Sequence, residues 1–136
     1  MRLDGAADAA RVEEACRRAM ADLGWAPARL VVARTFPERL VGMRGRAAGA
    51  GRGHGVVLAF PDCSSVHTWG MRRPLDIAFA DADGEVLLLR EGVAPCRVLW
   101  CRGARIALER ASPGAVLADQ FGGLEKSPLT ASRFLL

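Results

Sequence analysis

The hexapeptide Leu75-Asp76-Ile77-Ala78-Phe79-Ala80 constrains this chain more than any other stretch. Leu75, Ile77 and Phe79 alternate with Asp76, Ala78 and Ala80, the period-two pattern of a strand with one face on an apolar core. Asp81-Ala82-Asp83-Gly84 follows. Its carboxylates can accept from nearby backbone N–H groups and its glycine can take positive φ, so a tight turn is expected. Glu85-Val86-Leu87-Leu88-Leu89-Arg90 is apolar for four consecutive residues and reads as the returning strand of a hairpin, buried on both faces. Upstream, residues 66–69 are β-branched and aromatic, and the link 70–74 is too short for a helix. The expectation is a second hairpin that brings His67 to within about two residues of register of Asp76.

Asp76 is the oddest residue in that pattern. It shares a strand face with two alanines, which leave room for it. Burying an unpaired carboxylate is costly, so a partner is expected at its side. The candidates are His67, Arg72, Arg73 and the hydroxyl of Thr68. Two roles fit: a structural tie on the 70–74 loop, or an acid or ligand anchor in a pocket.

Several blocks in order along the chain resemble a known family. They are Val31-Val32-Ala33, Glu38-Arg39-Leu40-Val41-Gly42-Met43-Arg44, and Gly55-Val56-Val57-Leu58-Ala59-Phe60 with Cys63. Next come Val66-His67-Thr68-Trp69-Gly70-Met71-Arg72 and Pro74-Leu75-Asp76-Ile77 with Phe79, Asp81 and Gly84, then Pro95 and Ala107-Leu108-Glu109. Over about residues 30–110 the chain resembles domain of unknown function 192, also called uncharacterised protein family 0127. The resemblance implies a β-rich, barrel-like domain with one or two short helices, and it implies no activity. Arg73 stands where many members carry Phe or Asn, and the family's closing helix and Gly-Asp are hard to find in residues 123–128.

The length of 136 residues suits one domain able to bury a core without disulfides or metal. A hydrophobic content of 51% excludes a disordered chain. The formal charge of +4 rests almost wholly on arginine, in a sequence also rich in alanine and glycine, so it points only weakly to an anionic partner. The first residues carry an early acid and no apolar run, so no signal peptide is expected, and no membrane-spanning stretch is found. Free thiols at Cys16, Cys63, Cys96 and Cys101 in a reducing cytoplasm are the expectation.

Residues 4–24 read as an amphipathic helix. Val12, Cys16, Ala19 and Leu23 form its stripe, acids come early, Arg17 and Arg18 come late, and Gly24 is placed as the C-terminal cap. Its expected role is to cover one side of the domain, since a marginal helix needs tertiary packing. Strands are expected at 29–34, 56–60, 97–101 and 105–109, the last two joined by a turn at 102–104. Thr35 as cap and Pro37 in the first turn start a short helix that carries Arg39, and another is expected at 113–122. Residues 44–55 form a Gly-Arg-Ala loop. It lacks a Gly-Lys-Ser/Thr ending and interleaved aromatics, so neither phosphate nor nucleic acid is expected there, and nucleic acid is not expected as a partner of the chain. The tail Phe134-Leu135-Leu136 either docks on the domain or meets another chain.

Cys63, His67, Cys96 and Cys101 offer zinc-type ligands, but at spacings unlike a zinc knuckle, so inert cysteines and no metal or cofactor are expected. The fold expected is mainly β (α+β): an N-terminal helix and connector over 1–28, then a single small antiparallel barrel-like domain over 29–136. The function expected is non-catalytic binding of a small polar or anionic ligand or a protein, by a monomer or weak dimer, at Arg39, His67, Trp69, Arg72 and Asp76. The competing reading is a hydrolase using Cys63 as nucleophile, His67 as base and Asp76 to orient it.

Overall fold

The alanine-rich stripe of the N-terminal segment allows a helix to lie close on a sheet, and the computed structural model, which describes residues 2–34 and 55–113, has that arrangement. Helix α1 spans Arg2–Leu23. The expected stripe is widened by Ala15 and Met20, and Cys16 and Ala19 are wholly buried. Gly24 ends the helix at φ +72°, which a glycine adopts without Cβ strain. Its N–H donates to the Ala21 carbonyl at 3.2 Å and the N–H of Trp25 donates to Met20 at 2.9 Å. That pair of bonds is the Schellman cap, and it turns Trp25 into the core beside Met20.

The strands are β1 (Arg29–Val32), β2 (Val56–Pro61), β3 (Ser65–His67), β4 (Leu75–Ala80), β5 (Val86–Val93), β6 (Val98–Trp100) and β7 (Ile106–Ala111). A five-stranded mixed sheet runs β1-β2-β7-β4-β5, with β1 and β2 parallel and the other pairs antiparallel. Strands β3 and β6 form a separate antiparallel pair. Alternation along β2, β4 and β7 divides the core in two. On one face Val57, Ala59, Ala78, Ala80, Ile106 and Leu108 meet α1 and Trp25. On the other, Leu58, Phe60, Leu75, Ile77 and Phe79 meet Val66 and Leu99 of the strand pair.

Two expectations are corrected. The 66–69 segment does not pair with β4: β3 pairs with β6, with Val66 opposite Leu99, because a three-residue strand buries one apolar side chain best by lying over the larger sheet. The run 86–90 is not buried on both faces, since β5 is an outer strand and Leu87 is 43% exposed. Among the described residues the strands form an open sheet and a separate pair, not a closed antiparallel barrel. The turn at 102–104 exists, with Gly103 at φ +86°, but it separates strands of different sheets. The expected 35–43 helix, the 44–54 part of the Gly-Arg loop, the 113–122 helix apart from Pro113, and the apolar tail lie outside the described residues.

The β4–β5 turn joins the sheet to the helix. Asp81 Oδ1 accepts from the N–H groups of Asp83 and Glu85, both at 2.9 Å, and Arg18 donates to the Asp83 carbonyl at 3.3 Å. Gly84 sits at φ +87°, and a methyl group there would overlap the backbone of Ala15. Gly84→Ala is therefore expected to cost about 2–4 kcal/mol, from left-handed strain plus overlap. Gly103→Ala, at a similar φ but with open space around it, should cost only about 1–2 kcal/mol. Urea denaturation of the two variants checks this, and equal losses would mean that the helix gives way freely.

Candidate functional site

Asp76 is 2% exposed, on the face of β4 that looks toward α1. The β4–β5 register shifts between Leu75 and Ile77, so residues 91 and 92 of β5 stand against Asp76 alone. Such a bulge leaves a backbone group outside the ladder. Asp76 Oδ1 takes it up, accepting from the Gly92 N–H at 2.9 Å. Its other oxygen, Oδ2, accepts from Arg110 Nε at 2.9 Å. Arg110 lies directly opposite on β7, and its guanidinium carbon stands 4.6 Å from the centre of the Trp25 ring. Both oxygens are thus engaged, and the cation rests on an aromatic face. The sequence led to a buried Asp76 beside a cation, but the cation is Arg110. Thr68 is engaged elsewhere: its hydroxyl donates to the Ala94 carbonyl at 2.8 Å and accepts from the Arg97 N–H at 2.9 Å.

His67 and Trp69 lie on the other side of the molecule. The inner residues Val66 and Leu99 face the core, so Ser65, His67, Val98 and Trp100 form the outer face of the strand pair. His67 and Trp69 have ring centroids 5.3 Å apart, and His67 Nδ1 accepts from the Trp69 N–H at 3.3 Å. Trp69 is 58% exposed and Trp100 is 72% exposed, with Val98 between them in sequence and also exposed. Arg72 is exposed on the loop that follows. The expected cleft is therefore divided. His67 and Trp69 meet, Asp76 belongs to the opposite layer, and Arg39 lies outside the described residues.

The hydrolase constellation is divided too. Cys63 packs with the inner cluster and its thiol donates to the Ser65 carbonyl at 3.0 Å, while His67 faces outward and Asp76 is on the far face of the sheet. Among the described residues no three His, Cys, Asp or Glu side chains are grouped to hold a metal ion.

Glu109 is the residue that the reading of the sequence missed. It stands on the inner face of β7, between Leu58 and Ile77 of the neighbouring strands, and is 4% exposed. Burial pushes its carboxyl up to about 7. The signal was present: Glu109 shares its strand face with Ala107 and Ala111, as Asp76 shares its own with Ala78 and Ala80. Burial likewise raises the Cys16 thiol under the helix to about 11.

Two predictions come from these carboxylates. Arg110→Met leaves Asp76 buried without its cation and is expected to cost about 3–5 kcal/mol, whereas Asp76→Asn, which retains an acceptor for Gly92, should cost less. Chemical denaturation checks that order. For Glu109, the folded state holds a proton that the unfolded state has released between pH 4.5 and about 7. Stability should therefore fall as pH rises through that window and level off above it, by up to about 3 kcal/mol. Melting curves from pH 4 to 8 should show this decline in the native chain and lose it in Glu109→Gln.

No helix among the described residues is long and apolar enough to cross a membrane. No curated protein matches the chain. A crystal structure of a protein of unknown function from Novosphingobium aromaticivorans DSM 12444, at 1.22 Å resolution, is similar, with 26% sequence identity and a TM-score of 0.51. The match covers 70% of this chain and 69% of that one. The family model of domain of unknown function 192, described as "Uncharacterized ACR", matches residues 19–116, from the end of α1 past β7. The chain belongs to that family.

Proposed function

We propose that the protein is a non-catalytic binding domain and that it binds through the outer face of the β3–β6 pair. The observation that carries this reading is the exposure of Trp69 and Trp100, large side chains that a folded domain ordinarily covers unless they meet a partner. The His67 ring lies 5.3 Å from that of Trp69, and Thr68 fixes the backbone between them by bonding to both Ala94 and Arg97. The ligand is polar or anionic, because Arg72, Arg73 and Arg97 are exposed around the aromatic surface. Asp76 acts as a structural tie for the β-bulge. The two sheets, facing each other across the inner cluster, suit a barrel-like domain. Four free thiols suit a reducing cytoplasm.

A thermal-shift screen of anionic metabolites tests the reading. A ligand at about 100 times its Kd should stabilise the native chain by about 2.7 kcal/mol, and Trp69→Ala should abolish that shift. A shift retained by Trp69→Ala would move the site elsewhere. A Cys63 thiolate forming well below about pH 8 would favour the hydrolase reading instead.

A further inference from the structure

We propose that the outer face of the β3–β6 pair takes single-stranded nucleic acid, with bases stacked on Trp100 and Trp69 and phosphates met by the arginines of the flanking loops. This rests on the reading of that face as the recognition surface and names its ligand class. Three observations carry it.

The first is where the charge lies. Residues 62–74 and 94–105, which hold β3, β6 and their loops, contain Arg72, Arg73, Arg97, Arg102 and Arg105 against Asp62 alone. Of the chain's 19 basic and 15 acidic residues this leaves fourteen of each, so these two segments carry the whole formal charge of +4. Asp62 is itself engaged by Arg105 at 3.3 Å. All five arginines are exposed.

The second is the order of the rings. Trp100 stands opposite Ser65 and diagonal to His67, a cross-strand separation of about 7–8 Å. Trp69 continues the row 5.3 Å beyond His67. Two exposed indoles on the outer side of the pair suit a stretch of about two or three stacked bases.

The third is size. The two exposed tryptophans and Val98 amount to apolar surface on the order of 400 Å², an area that two or three stacked bases can cover. A second copy would bring like charge to like charge. The sequence argued against nucleic acid at the Gly-Arg loop for want of aromatics. Here the aromatics and arginines come from segments about thirty residues apart, joined only by the β3–β6 pairing.

The test is fluorescence anisotropy of labelled oligodeoxythymidylate with the full chain, between about 50 and 200 mM salt. Polyglutamate and phosphatidylserine vesicles serve as comparison anions. The native chain should bind the oligonucleotide. Trp100→Ala should weaken binding about tenfold with an unchanged salt slope, since stacking, not charge, is removed. Arg97→Ala with Arg102→Ala should reduce the slope of log K on log salt by about 1.4. Trp100 is exposed, so its variant should melt like the native chain. Oligonucleotide binding that Trp100→Ala leaves intact would overturn the proposal. Equally tight binding of polyglutamate or vesicles would also overturn it, while leaving a binding domain for another anionic partner. If none of the three binds, the anionic character of the ligand falls as well.

Discussion

The carboxylate of Asp76 is the point on which the described structure turns. One buried group answers two separate needs, an N–H displaced by the bulge at Gly92 and the charge of Arg110. Arg110 in turn lies on Trp25, the residue that follows the helix cap. Three distant parts of the chain, the end of α1, the start of β4 and the end of β7, are therefore fixed by one set of contacts. A buried ion pair contributes little by its presence, since desolvation offsets attraction, but its halves cannot be separated cheaply. Its effect is to define which residues of β4, β5 and β7 stand together.

Local patterns were legible because they depend on neighbours in sequence. The β4–β5 hairpin followed from alternation and a turn with Asp and Gly in place. The C-terminal cap followed from a glycine at the end of an apolar stripe. A buried Asp76 followed from two alanines on its face. What the sequence could not supply was pairing across distance. Val66 and Leu99 find each other because each covers the same inner cluster, and nothing near residue 66 signals residue 99. The same limit hid Arg110, 34 residues from Asp76. It also hid Glu109, whose small-acid-small setting was read as an ordinary strand end.

The two faces of the central sheet have different work. The α1 side is closed by alanine, cysteine and one tryptophan, with its polar groups engaged. The other side is roofed by a strand pair only three residues long in each strand. So short a pair can bury one side chain per strand on its inner face and must leave the outer row to solvent. Placing His67, Trp69 and Trp100 on that row puts recognition chemistry on the thinnest layer of the protein. The hydroxyl of Thr68 compensates, bonding the roof to the 94–97 loop where the ladder ends.

The alanine stripe of α1 has a further consequence. Small side chains allow the helix to approach so near that the Gly84 turn has no room for a methyl group. The alanines themselves remove little apolar area from water, so the apolar area of this seam comes mainly from Met20 and, past the cap, Trp25. Close fit and strong adhesion are thus uncoupled along this seam. Adhesion is concentrated instead at the C-terminal end of the helix, where Trp25 meets the guanidinium of Arg110.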